Sequence, residues 1–478
     1  MRAGRVGTTN TKDHADAGKP RLARPVTALH FAHALLADGW AREVRLVIDG
    51  GRITAIESAK PAREAERHAT IAVPGLANLH SHAFQRAMAG LTEVGGEAAD
   101  SFWAWRAVMY RFLAHLSPDH VEAFAAQCYA EMLEAGFTAV GEFHYLHHAP
   151  DGRPYDDPAE MAGRIVVAAA SAGIGLTLLP VLYRQGGFDG RPPDAAQRRF
   201  ATGLDDFAVL LARARNHAAG LPDSQVGVAP HSLRAIAPDD LAALIDAVPS
   251  GPVHIHVAEQ RREVEECLAW SGQRPVQWLL DHHDVGPRWC LVHATHMDAA
   301  ETTALARARA VAGLCPITEA NLGDGLFDLP GFAAAGGRFG VGSDSNVRID
   351  AAEELRLLEY GQRLARRARN VIAPPRVSSG RTLFDAARAG GAQALGRAAS
   401  GLAVGAPADI VALDPEHPAL LAQDGDGWLD GWLFAGDRGV VRDVWAGGRR
   451  VVAAGRHIRR EALKRRYAAA RRAVLSEA

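Results

Sequence analysis

The chain has 478 residues, 48% hydrophobic and 23% charged, a balance that buries a large core and excludes a disordered or fibrous protein. Its 53 basic and 55 acidic residues leave a formal charge of -2, which excludes a polybasic surface for nucleic acid or for a membrane. Four scattered cysteines without a CxxC pair exclude a disulfide scaffold and point to a reducing, cytoplasmic setting.

Residues 1–25 are polar, lack an apolar signal-peptide core and read as a disordered tail. Residues 46–55 (LVIDGGRITA) are two apolar runs joined by a Gly-Gly turn, a hairpin signal. From residue 74 to about 400, short apolar strands alternate with Ala/Leu-rich helical stretches. The strands are predicted at 76–82, 137–145, 176–183, 225–232, 252–259, 289–296, 311–318 and 338–345. Eight strands alternating with helices predict parallel pairing and a closed barrel. The alternative, an open doubly wound sheet, calls for a Gly-rich phosphate loop after the first strand, and none stands there. The uncharged run 165–183 is as long as a membrane span. Gly173, Gly175 and Pro180 break it into a helix end, a turn and a strand, so no membrane segment is predicted.

After the barrel come a strand at 408–414 (ADIVALD), a second Gly-Gly hairpin at 444–453 and a basic, solvent-exposed helix at 460–478. The fold class is therefore α/β. A (β/α)8 TIM-like barrel occupies 74–399, and 26–73 with 400–459 form one small β-sandwich domain from both chain ends.

Titratable and polar residues gather at the carboxyl ends of these strands: His80 and His82, Tyr145, His231, His256 and Glu259, His293, and Asp344. Catalytic groups of such barrels cluster at that rim. Residues i and i+2 of a strand share a face, so His80 and His82 can both point into the barrel mouth. An HxH pair alone is weak; repeated strand-end ligand types are not. Imidazoles plus one carboxylate suit zinc, with divalent iron or manganese as the alternatives. A nearby carboxylate can take a proton from a metal-activated water, and a further group must protonate the leaving nitrogen.

LHSH, then HVAE, a strand-end histidine and GSDS resemble the amidohydrolase superfamily, specifically its mononuclear deaminase branch. The resemblance implies that His80, His82, His256 and Asp344 hold one metal ion, that Glu259 shuttles protons, and that His293 contacts the attacking water, with Asp344 sharing in catalysis. GAPADIVALD is similar to that superfamily's accessory β-domain. A narrower set of motifs (PGLANLHSHAFQRAMAGLTE, FWAWR, EFHYLHH, PVLYRQGGF, PPDAAQRRF and APHSLRA) is similar to the formiminoglutamate deiminase subfamily of histidine degradation. That likeness implies hydrolysis of a linear amidine on a small dicarboxylate, a homodimer, and Gln85, Arg106, Tyr145, His231 and Arg234 as the substrate-binding set. Two arginines suit a dianion. A purine, pyrimidine or triazine ring, the alternative substrate, has no need of them.

Other candidates have plainer readings. His254 lies one layer below His256 and reads as a core histidine. His296 competes with His293 but sits beyond the strand end. His144, His147 and His148 read as neighbours of the site rather than members. Arg184, Arg198 and Arg199, in a Gly/Pro-rich loop, read as solvated charge, and the cysteines read as small core residues.

Overall fold

In the computed structural model, which describes residues 27–63, 66–94, 102–397 and 401–477, the predicted alternation becomes a ring of parallel strands. The tail predicted over 1–25 lies outside the described residues. The barrel strands are Leu76–Ser81, Phe137–His144, Gly175–Leu182, the split pair Gln225–Val226 and Ala229–Pro230, Val253–Val257, Trp289–His293, Val311–Leu314 and Arg338–Val341. They form two parallel runs, which the bridges Val228–Val253, Ser232–His256 and Ser81–Asp344 join into a closed circuit. The fourth strand is split where Gly227 passes close to its neighbour: a Cβ there would stand 2.4 Å from the Pro252 carbonyl.

The barrel interior is filled, not hollow. Leu79 reaches across it because Gly313 and Gly340 on the seventh and eighth strands carry no side chain. A Cβ at either would lie 2.9 or 2.5 Å from the Leu79 methyls. Ala77 and Leu79 pack in this interior cluster, so strict alternation would turn His80 outward. The register of the first strand instead shifts between Asn78 and Ser81, and this bulge re-aims the HxH segment into the mouth.

The uncharged run 165–183 is a helix, Glu160–Ala172, a turn at Gly173 with φ 86°, and the third barrel strand. Among the described residues no helix is long and apolar enough to cross a membrane.

Both chain ends build one eight-stranded sheet, in the order 456–457, 449–453, 441–446, 410–413, 67–74, 27–36, 39–49 and 52–57. The two predicted hairpins turn at Gly50-Gly51 and Gly447-Gly448, where all four glycines have positive φ. The sheet folds back on itself. Phe31 meets Trp445 edge-on at 5.7 Å although two strands separate theirs, and the enclosed apolar residues form a core of their own.

The C-terminal helix Arg460–Glu477 corrects the expectation of full exposure. Leu463 and Val474 are buried, and Tyr467 meets Phe124 of the helix Pro118–Glu134 edge-on at 5.7 Å. Its buried stripe is narrow and flanked by long arginines, so its composition reads as exposed. Tyr467 Oη donates to the Arg86 carbonyl at 3.3 Å and Arg471 Nε to that of Ala87 at 2.9 Å. The helix thereby braces the short turn Ala83–Met88 that carries Gln85.

Candidate active site

Four buried side chains from the first, fifth and eighth strand ends converge at the barrel mouth: His80, His82, His256 and Asp344. His80 Nε2 lies 3.2 Å from His82 Nε2 and 3.0 Å from His256 Nε2. Asp344 Oδ1 lies 3.4 Å from His80 Nε2 and 3.3 Å from His82 Nε2. The outer nitrogens fix the tautomers of two rings. His82 Nδ1 donates to the Phe143 carbonyl at 2.9 Å and His256 Nδ1 to that of His231 at 3.1 Å. Burial holds all three imidazoles below their ordinary pKa, His80 at about 3, so they are neutral and the Nε2 atoms of His82 and His256 carry lone pairs. Those lone pairs and a carboxylate oxygen face one point, and a single proton on His80 cannot satisfy them all. A divalent cation does. A tetrahedral ion with bonds of about 2.0–2.1 Å spaces its donors roughly 3.3 Å apart, which fits the observed separations.

The residues bounding the cluster are backbone-strained. His293, Asp344 and Ala258, which precedes Glu259, have φ of 66°, 44° and 51°, left-handed conformations that bulky residues keep only where the surroundings enforce them. Asn346 enforces one of them. Its side-chain amide donates to the carbonyls of Asp344 and His82 at 2.8 and 3.1 Å and to Ser81 Oγ at 3.2 Å. It accepts from Ser343 Oγ at 2.6 Å.

Beside the cluster stand two groups able to move protons. His293 Nε2 lies 3.9 Å from both Glu259 Oε1 and Asp344 Oδ2, while its Nδ1 is held by Glu319 Oε1 at 3.2 Å. Burial lowers the His293 pKa, but Glu259, Glu319 and Asp344 outweigh it and push the ring up to about 10. Glu259 is raised to about 7, chiefly by burial and against the pull of His293 and Arg234. A carboxyl poised there exchanges protons readily in either direction. Glu263 seats the turn before it, accepting from the amides of Ala258 and Glu259 at 3.2 and 3.1 Å.

These groups floor a cavity of about 600 Å³, its mouth included, whose walls bring in Gln85, Arg106, Tyr145, His231 and Arg234. Gln85 Nε2 donates to Tyr145 Oη at 2.8 Å. Arg106 Nε donates to Tyr110 Oη at 2.6 Å. His231 Nδ1 lies 3.1 Å from Ser232 Oγ. All five predicted substrate residues therefore face one space, with two guanidinium groups on its wall.

The plainer readings divide. His254 is a core histidine whose Nε2 reaches the Ala394 carbonyl at 2.8 Å, and the four cysteines are buried and free. Arg184 pairs with Asp240 at 2.9 Å and Arg198 is exposed. Arg199 corrects the expectation: it is buried and donates to the carbonyls of His148, Leu113 and Leu116, a brace rather than a solvated charge. Sequence reasoning also missed Glu319, Glu263, Asn346 and the aromatic wall of Tyr110 and Tyr183. Glu319 lies one residue beyond the predicted end of the seventh strand, which with the third is one of the two strands to which no polar end-group was assigned.

A parallel barrel with three imidazoles and one carboxylate at its mouth defines a metal-dependent hydrolase. The Amidohydrolase family profile matches residues 71–451, and the chain belongs to that family. A second profile, described as the N-terminal domain of formimidoylglutamate deiminase HutF, matches residues 26–69. The chain is 53% identical over 447 residues to a formimidoylglutamate deiminase of Pseudomonas aeruginosa, covering 92% of this chain and 98% of the relative. To an 8-oxoguanine deaminase of the same organism it is 29% identical, covering 76% of this chain and 80% of that one. A crystal structure of an amidohydrolase from Brucella melitensis is 54% identical with a TM-score of 0.91, covering 94% of this chain and 99% of that chain. A zinc-bound adenosine deaminase from Xanthomonas campestris shares the fold at a TM-score of 0.76 and 21% identity, covering 94% and 98%.

Proposed function

We propose that this chain is a formimidoylglutamate deiminase that hydrolyses N-formimino-L-glutamate to N-formyl-L-glutamate and ammonia in histidine degradation. The observation that carries the reading is one cavity with a lone-pair cluster on its floor and two arginines on its wall. The 53% identical relative of that name supports it. In this reading His80, His82, His256 and Asp344 hold one zinc ion per chain; divalent iron or manganese would fit the same donors. Bound there, such an ion brings the pKa of a coordinated water to roughly 7.

The side chains do the rest. Glu319 fixes the His293 ring through Nδ1, so Nε2 addresses the space between Glu259 and Asp344. At 3.9 Å to each carboxylate, that nitrogen is too far for a direct hydrogen bond and well placed to share a reacting oxygen. Asp344 and Glu259 take the proton lost as water oxygen bonds to the formimino carbon. Glu259, poised near neutrality, delivers it to the terminal imine nitrogen. The hydroxyl proton of the resulting adduct then passes through Asp344 and Glu259 to the same nitrogen, the carbon–nitrogen bond breaks, ammonia departs, and the formyl oxygen comes from water. Arg106 and Arg234 pair with the two carboxylates of the substrate, each through a two-pronged charged hydrogen bond, while Gln85, Tyr145 and His231 supply neutral contacts. We further propose a homodimer in the cytoplasm, and domain limits at 26–73 with 400–459 for the β-domain and 74–399 for the barrel.

The test is ammonia release from N-formimino-L-glutamate before and after chelation. Loss of activity on complete metal removal and its return with zinc are expected. Equal activity without metal would overturn the mechanism.

A further inference from the structure

Tyr183 follows the third barrel strand and is buried in the cavity wall, 5% exposed. Gln197, from the loop beyond, donates Nε2–H to its Oη at 2.7 Å. The direction of that bond is fixed by a second one. The backbone N–H of Asp194 donates to Gln197 Oε1 at 2.9 Å, and an N–H can only donate, so the amide end facing Tyr183 is NH2. The phenol oxygen therefore accepts, and its own proton must go elsewhere. Among the described residues no acceptor takes it. Burial pushes the phenol up to about 12, so the proton stays in place across the working pH range.

The surroundings select what could accept it. Arg106 and Arg234 both act on the Tyr183 ring electrostatically, and both line the same cavity. A hydroxyl proton beside two guanidinium groups has no use for another donor; it completes a site for an anion. Tyr110, beside it, already accepts from Arg106, which aims that guanidinium along the same wall. Two loop motifs thus converge on one function: PVLY supplies the hydroxyl, and AAQRRF supplies the amide that turns it.

We propose that Tyr183 donates its hydroxyl proton to a carboxylate of the substrate as a third arm of the clamp formed by Arg106 and Arg234, with Gln197 as its positioning residue. This rests on the reading of the substrate as a dicarboxylate. The residue touches substrate far from the reacting carbon, so it contributes equally to ground and transition states, and its loss raises KM while sparing kcat.

The experiment measures kcat and KM of the full-length, zinc-loaded enzyme and of Tyr183→Phe. The substrates are N-formimino-L-glutamate and its two monoacid analogues, N-formimino-2-aminobutyrate and N-formimino-4-aminobutyrate. A charged hydrogen bond is worth roughly 10- to 100-fold. Tyr183→Phe is expected to raise KM for the diacid by about that factor with kcat within about twofold, and to leave one monoacid, the one lacking the carboxylate it grips, unaffected. Gln197→Leu, which keeps the phenol but frees its orientation, is expected to raise KM in the same pattern by less. Zinc content and the urea midpoint serve as the controls for folding. An unchanged KM for the diacid in Tyr183→Phe, or an equal loss for all three substrates, overturns the inference. An unsubstituted, zinc-loaded enzyme that does not turn over the diacid overturns the functional reading and this inference with it.

Discussion

Replacing Asn346 by alanine removes the side chain that ties the first barrel strand to the eighth beside the candidate metal ligands. Its amide carries two protons shared among three acceptors, the carbonyls of His82 and Asp344 and Ser81 Oγ, and its oxygen accepts from Ser343. Both carbonyls keep another donor, the amides of Gln85 and His82 respectively, so they are weakened rather than orphaned. Three hydrogen bonds at about 1 kcal/mol each, plus about 1 kcal/mol for placing alanine at φ 57°, give roughly 4 kcal/mol. The urea midpoint should fall by that equivalent at an unchanged slope. The same loss frees the backbone of two ligands, so zinc should transfer to a chelating dye roughly 10- to 100-fold faster, as when other outer contacts of metal sites are removed. A variant with the original midpoint and the original zinc release rate would refute the argument that this asparagine sets the ligand geometry.

Four further outcomes are expected. Glu259→Gln should lower kcat by roughly 10²- to 10⁴-fold with full zinc content, and it should abolish the limb of the kcat/KM profile that rises through pH about 7, where the wild-type carboxyl ionises; steady-state kinetics from pH 5 to 9 reads both. Arg106→Ala and Arg234→Ala should each lower kcat/KM on the dicarboxylate roughly 30-fold or more, while indifference would favour a ring substrate. Glu319→Gln keeps an acceptor for His293 Nδ1 but removes its charge, and should lower kcat roughly 10- to 100-fold without loss of zinc. Glu142 is held by burial at a raised pKa of about 8, with one oxygen accepting the Ala83 amide at 2.7 Å. A raised folded pKa means the native state binds the extra proton, so its stabilisation is complete below the unfolded value and is lost as pH climbs through about 8, by at most about 5 kcal/mol. The difference in urea midpoint between Glu142→Gln and the parent should therefore grow in favour of the variant from pH 5 to 9.

The barrel was legible because its strands are short apolar runs separated by helix-forming stretches, and each of the eight falls where the pattern placed it. The hairpins were legible because Gly-Gly turns tolerate positive φ at both positions. His80, His82, His256, Glu259, His293 and Asp344 could be grouped because strand ends in such a barrel share one rim. What escaped notice shares a physical cause. Glu319 orients His293 from the first turn of a helix, just past the strand, where periodicity gives no reason to look. Tyr183 resembles any aromatic at a strand end until Gln197, distant in the loop, fixes its hydroxyl. Arg199 reads as solvated in a Gly/Pro-rich loop because the three carbonyls it braces are contributed by other segments. The bulge that re-aims His80 depends on Leu79 filling the interior opposite Gly313 and Gly340, a tertiary fact absent from the local pattern.

The central claim is the identity of the substrate, and it is tested most directly by offering the zinc-loaded enzyme N-formimino-L-glutamate labelled with ¹³C at the formimino carbon, alongside 8-oxoguanine and other aromatic amines. The account predicts conversion of the label to a formyl resonance, one ammonia released per formyl group formed, and no deamination of the rings. Deamination of a ring amine with no conversion of the formimino label would contradict it.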